Sequence, residues 1–242
     1  MKINKNTLIN FIKKYHLGNK CNSVQWEILD NTLTIRFLTE SEETFGELTL
    51  NDFNFPNQTF GVYMTDLLIN RLSKLEDSID ISIDADENDD PFCFKIVDDK
   101  KNKRNYILST IDIIKSAPKS VNEPDYNTEI KIDSDFIKAF TNNRSSMSEI
   151  NNVAITTKDD TALFIFGYSN TATDTASFPV STIKNDKNLS PSSYFADVLN
   201  SILSVNADLK DGIMYISEHG LIKLVFNFEN GTSKYFTTKL QD

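Results

Sequence analysis

Apolar residues fall at helical spacing in four places along this chain. Between them they alternate with polar residues in runs of five to eight. In the first helical stretch, from Asn4 to about Tyr15, Leu8, Phe11, Ile12 and Tyr15 stand at i, i+3, i+4 and i+7, one apolar stripe. Asn6, Asn10, Lys13 and Lys14 occupy the opposite face, and Gly18 ends the helix. The second stretch, Met64–Leu75, sets Leu68, Leu72 and Leu75 against Asn70, Ser73 and Lys74. The third, about Asp133 to Asn143, turns Phe136, Ile137 and Phe140 inward and Lys138, Thr141 and Asn142 outward, with Asp133 or Ser134 as N-cap. The fourth, about Ser193–Leu203, buries Phe195, Val198, Leu199 and Ile202 and leaves Asn200, Ser201 and Ser204 outside.

Strand-like runs follow each helix. They are Val24–Leu29, Thr32–Leu38 and Thr44–Leu50 after the first, and Ile79–Ile83, Phe92–Val97 and Arg104–Ser109 after the second. Val153–Thr157, Ala162–Tyr168 and Thr173–Val180 follow the third, and Gly212–Ser217, Leu221–Phe228 and Ser233–Leu240 the fourth. Thr59–Tyr63 and Thr128–Ile132 are strands that lead into the second and third helices. Asp30-Asn31 reads as one hairpin turn and Asn230-Gly231 as a type I′ turn. The helix starts near Asn4, Met64, Asp133 and Ser192 are 60, 69 and 59 residues apart. A period near 60 nested in one near 129 predicts two similar domains, each an internal duplication. The expected class is α+β, with two helices per domain packed on a strand-rich layer. The expected domains are residues 1–110 and 127–242. Residues 111–126, with Pro118 and Pro124, form a connector whose isoleucines Ile111, Ile113 and Ile114 lie along the surface as an extended strand.

The chain of 242 residues carries a formal net charge of −10, which argues against a general nucleic-acid binder. The distribution changes that picture. From Asn4 to Lys20 there are four lysines, Lys5, Lys13, Lys14 and Lys20, and no acid, so the remainder of the chain carries −14. Cations on a helix face displace counterions from phosphates, which is what duplex binding requires. A solvated helix face is the competing reading. Cys21 and Cys93 lie in no CxxC pair and are expected as buried free thiols in a reducing, cytoplasmic setting. His16 and His219 sit in no metal pattern, and neither GxGxxG nor GxxxxGK[ST] occurs. The Asp84–Asp90 run lacks the glycine and closing glutamate of a calcium loop and reads as a solvated turn. No cofactor, no metal and no catalytic set are expected. The opening MKINKNTLIN has no apolar signal core, and no run of 18 apolar residues occurs.

Several strings give this plan a family likeness. The opening Met-Lys-Ile-Asn-Lys-Asn-Thr, the run Thr44-Phe45-Gly46-Glu47-Leu48-Thr49-Leu50, and Phe60-Gly61-Val62-Tyr63-Met64-Thr65-Asp66-Leu67-Leu68 belong to the first half. Glu129-Ile130-Lys131-Ile132-Asp133-Ser134-Asp135-Phe136 and Asn152-Val153-Ala154-Ile155-Thr156-Thr157-Lys158-Asp159 open the second. In order and spacing the chain resembles the DNA sliding clamps, nearest to the two-domain clamps of myovirus-type phages and more distantly to proliferating cell nuclear antigen. The resemblance implies a homotrimeric ring around double-stranded DNA, with polar helix faces lining the hole, that tethers a replicative polymerase and is opened by a clamp loader. It implies DNA-facing roles for Lys5, Asn10, Lys13, Lys14, Arg71, Lys74, Lys138, Asn142 and Arg144. It implies a partner-peptide pocket at Phe45, Leu48, Ile111, Ile113, Ile114 and Leu240. A strand-rich virion protein and a monomeric processivity factor of the same fold are the alternatives.

Overall fold

The computed structural model describes residues 1–88, 90–169, 174–209 and 211–240. They form two compact units. The first is Met1–Glu40 with Gly46–Lys119, and the second is Ser41–Phe45 with Ser120–Asp242.

The first unit opens with β1 (Lys2–Asn4) and α1 (Lys5–His16), continues through β2 (Ser23–Leu29), β3 (Thr32–Leu38), β4 (Thr44–Leu50) and β5 (Gln58–Tyr63), and then forms α2 (Thr65–Ser73). It closes with β6 (Ser78–Ala85), β7 (Pro91–Asp98) and β8 (Lys103–Ile107). Asn4 caps α1, its Oδ1 accepting from the N–H groups of Asn6 at 2.8 Å and Thr7 at 3.4 Å, so two otherwise orphaned donors are satisfied. Leu17 and Gly18, both left-handed, end that helix. The strands run β4-β3-β2-β5 in one layer and β1-β6-β7-β8 in the other. Between β2 and β3, Asp30 and Asn31 both take positive φ, the left-handed pair that a tight two-residue hairpin needs. Trp26 is fully buried at the centre of an aromatic cluster with Phe53, Phe60 and Phe94, at ring separations of 5.7 to 6.4 Å.

The second unit repeats the plan with β9 (Thr128–Ile132), α3 (Ser134–Ser146), β10 (Asn152–Lys158), β11 (Thr161–Phe166), β12 (Ala176–Asn185), β13 (Ser192–Phe195) and α4 (Ala196–Val205). It ends with β14 (Gly212–Ile216), β15 (Leu221–Phe228) and β16 (Gly231–Thr238). Its strands run β13-β10-β11-β12-β9-β14-β15-β16. Helix α3 packs on β12 and β9, and α4 on β10 and β13. Phe136, Phe140, Phe164, Phe166 and Phe178 form its aromatic core, with Phe164 and Phe178 stacked at 5.0 Å. Such pairs contribute about 0.5–1.5 kcal/mol beyond the area they bury.

The N-caps Asn4, Met64, Asp133 and Phe195 reproduce the fourfold repeat at steps of 60, 69 and 62 residues. Four local expectations are corrected. The fourth helix begins at Ala196, because Ser192–Phe195 pairs with β10 as a strand and leaves Phe195 partly exposed rather than in the core. The connector isoleucines form a 3-10 turn, Ile111–Ile113, closed by the Ile114 N–H on the Ile111 carbonyl, not an extended strand. The β15–β16 hairpin turns at Glu229-Asn230, since Phe228 pairs with Gly231, and neither turn residue has positive φ. Strand β12 begins at Ala176, and Thr173 lies outside the described residues. Cys21 and Cys93 are buried free thiols, as their sequence setting suggests.

Candidate nucleic-acid interface and partner surface

Each helix keeps one face on its unit and presents another to solvent. On α1, Leu8, Ile9, Phe11, Ile12 and Tyr15 are buried while Asn6, Thr7, Asn10 and Lys13 are exposed. On α2 the exposed residues are Asp66, Leu67, Asn70 and Ser73, and Lys74, which caps its end, is exposed as well. On α3 they include Asp135, Lys138, Asn142 and Ser145, and on α4 Asp197 and Ser204.

The expected DNA-facing set divides into three groups. Lys13, Lys74 and Lys138 are exposed, and no ion-pair partner stands beside them among the described residues. Asn10 and Asn142 share that exposure. Lys5, Arg71 and Arg144 are committed inside the fold. The Lys5 ammonium donates to the Leu75 carbonyl at 2.6 Å and sits 3.4 Å from Asp77. Arg71 donates to the Asn105 carbonyl and lies over the Tyr106 ring at 5.7 Å. Arg144 grips Asp197 Oδ1 through Nε at 2.9 Å and Nη2 at 2.7 Å, and donates Nη1 to the Met147 carbonyl at 2.7 Å. These contacts tie α1 to the end of α2, α2 to β8, and the end of α3 to the start of α4.

Lys14 corrects the sequence expectation outright. It is only 4% exposed. Helix α1 packs on α2 as well as against its own strand layer, so its buried stripe is wide enough to take in position 14. A lysine stem lends itself to such burial because its methylenes are apolar. The exposed surface of the helices is therefore polar with isolated cations, and Asp66, Asp135 and Asp197 lie among them. His16 joins Asp66 at 3.4 Å across α1 and α2.

The six positions expected to line a partner pocket also separate. Ile111 and Ile113 are exposed, Ile113 at 67%, on the 3-10 turn. Ile114 is buried against Gly61, where a Cβ would stand 2.9 Å from its Cγ1. Leu48 is fully buried, since the alternation along β4 turns it with Leu50 into the core. Both therefore lack a free surface. Phe45 is buried too, in the second unit, where its ring lies 5.8 Å from that of Phe236, so it offers no free surface either. Leu240, half-buried, donates its N–H to the Ser193 carbonyl at 2.8 Å.

Sequence reasoning expects edge strands at the two ends of the subunit but does not locate them. Among the described residues β8 pairs only with β7, and its Ile107 is 64% exposed. On β12, Ala176–Ser181 pair only with β11 among the described residues, while β9 joins β12 from Thr182 onward, beside Ile183 at 58% exposure. Among the described residues, no group of three or more His, Cys, Asp and Glu could hold a metal, and no helix is long and apolar enough to cross a membrane.

No protein-family model matches the chain, and no curated protein matches its sequence. Solved structures do match its fold. Proliferating cellular nuclear antigen from Entamoeba histolytica superposes with a TM-score of 0.78 at 12% identity, over 99% of this chain and 98% of that one. A. fulgidus PCNA, solved with the C-terminal region of FEN-1 bound, gives 0.79 at 13% identity over 100% and 98%. The PCNA2–PCNA3 complex from Sulfolobus tokodaii gives 0.74 at 12% over 98% of each chain. The architecture is the DNA clamp fold, end to end.

Proposed function

We propose that this chain is the subunit of a sliding clamp, a ring that encircles duplex DNA and tethers a replicative polymerase, with no catalytic chemistry of its own. One observation carries the reading. Four helices recur at clamp spacing, each keeps a polar outer face, and three of those faces hold an exposed lysine with no ion-pair partner among the described residues, Lys13, Lys74 and Lys138. A ring must pass any sequence, so its contacts should be to phosphates and should carry no base readout. Sparse cations on a chain of net charge −10 suit that demand, because they bind weakly and let the duplex slide.

With two units per chain, three chains supply the six units of a ring, as the resemblance to the two-domain phage clamps implies. The open edge of β8 and the free stretch Ala176–Ser181 of β12 are different surfaces. Their pairing between neighbours would be head-to-tail, which closes a ring when the rotation closes. Ile111 and Ile113 would receive a short partner segment, from the polymerase or the clamp loader, as an apolar anchor site. The related A. fulgidus clamp takes the C-terminal region of FEN-1.

Primer extension on a circular template, with the cognate polymerase and loader, tests the reading. Added clamp should lengthen products in a single binding event. The triple variant Lys13→Glu, Lys74→Glu, Lys138→Glu should abolish that gain while keeping the wild-type mass in solution. Undiminished stimulation by the triple variant would overturn the helix-face assignment, and no stimulation by the wild type would overturn the clamp reading.

A further inference from the structure

Away from the helix faces and the connector, the second unit contains a pocket of about 350 Å³. Its size falls at the small end of ligand sites. Its lining is mostly polar, and the buried Ile155 of β10, Ile216 of β14 and Leu189 of the loop after β12 contribute its apolar part. That loop is not loose. The Leu189 carbonyl accepts from the Thr157 N–H at 3.1 Å and the Thr156 hydroxyl at 2.7 Å, and its N–H donates to the Thr157 hydroxyl at 2.8 Å. The wall is therefore set by hydrogen bonds before anything binds.

Tyr194 of β13 also lines the pocket. It is 1% exposed, and its hydroxyl is buried with no hydrogen-bond partner among the described residues. Buried polar groups are nearly always satisfied, and an exception calls for an explanation. At the polar side stand Lys187, Glu218 and Lys239. Lys187 is bound to Glu218 and holds that carboxyl below the usual carboxylate range, so this pair is neutral as a unit. Lys239 is the remaining charge, an exposed lysine with no ion-pair partner among the described residues. One free cation suits a single negative charge. A dianion would meet Glu218 as well.

We propose that this pocket binds a small monocarboxylate on an apolar stem, with its carboxylate between Lys239 and the Tyr194 hydroxyl and its stem on Ile155, Leu189 and Ile216. The ligand is either a free carboxylic acid or the last residue of a polypeptide, and the two share this chemistry. Every residue of the site belongs to one unit of one chain.

Methyl-labelled full-length protein titrated with 3-methylbutanoate and with its neutral amide tests the proposal. The acid should move the methyl signals of Ile155, Leu189 and Ile216 in a saturable way, and the amide should not. Lys239→Gln should weaken the acid about fivefold, the scale of one partly exposed ion pair, and Lys239→Arg should retain it. Tyr194→Phe should weaken it further. If that variant unfolds, the Lys239 pair still decides, since Lys239 lies on the surface. Acetyl-Gly-Gly-Leu with a free carboxylate separates the sources. Tighter binding than 3-methylbutanoate marks a chain end, and weaker binding marks a free acid. Equal titration by acid and amide, unchanged affinity in Lys239→Gln, or silence of the three methyl groups toward both acids would each overturn the proposal.

Discussion

Two lysines adjacent in sequence behave as opposites. Lys13 is exposed, so Lys13→Glu should leave stability within about 0.5 kcal/mol while lowering DNA-dependent polymerase stimulation. Lys14 is buried, and Lys14→Glu places an acid where the lysine packs, so it should cost about 3 kcal/mol or more. Chemical denaturation of the two variants side by side reads the difference directly. The Cys21 thiol gives a second residue-scale test. Burial pushes it up to about 12, with a backbone hydrogen bond at Ser23 pulling the other way. The folded state therefore holds this proton more tightly than the unfolded chain, whose thiol titrates near ~8.5. The stability that follows is fully present below that value. It is lost as pH rises toward 12, at about 1.4 kcal/mol per pH unit for one group. In the native protein at pH 8, a thiol reagent should find neither Cys21 nor Cys93, and both should react at once in denaturant.

At the scale of elements, the caps and the connector carry the tests. Asn4→Ala removes the acceptor for two N–H groups at the start of α1 and should cost about 1 kcal/mol by thermal melting. Ile111→Ser with Ile113→Ser should leave the fold and the assembly intact and remove polymerase stimulation, since both side chains are exposed. Ile114→Ser should instead destabilise the first unit, because Ile114 is buried against Gly61. The contrast checks that the pair acts through a partner and not through the core. Helix positions were legible in the sequence because a 3.6-residue stripe survives in one dimension, as with Leu8, Phe11, Ile12 and Tyr15. What surrounds a helix is not legible that way. Lys14 and Phe195 lie on the boundary of their stripes, and only the packing of α1 on α2 and the pairing of β13 with β10 decide their burial. The same holds for Lys5, Arg71 and Arg144. Their charge was plain, but their partners Leu75, Asn105 and Asp197 lie 70, 34 and 53 residues away.

At the scale of the molecule, the two open edges make assembly the decisive measurement. Native mass spectrometry should show three subunits, with dissociation on dilution. Ile107→Lys on the edge of β8 should shift the population toward monomer, because a lysine on an edge opposes strand pairing. The Ile107 variant should retain its melting profile as a monomer. A wild-type protein that stays monomeric at high concentration would favour a processivity factor that grips DNA without closing.

The second unit is not continuous in sequence. It takes Ser41–Phe45 from the first half of the chain. There the Thr44 hydroxyl meets that of Thr237 in a buried hydrogen bond, and Phe45 lies on Phe236. A single cut in the connector therefore cannot release two whole modules. The fragment beginning at Ser120 would lack a piece of its own interior, and the other fragment would carry that piece with nothing to bury it. Nicking between Lys119 and Ser120 should leave two halves that copurify and melt together. Expressed separately, they should behave as a split protein, each poorly soluble alone and both recovered on mixing. The gene could not be divided at its most evident seam without making each half dependent on the other.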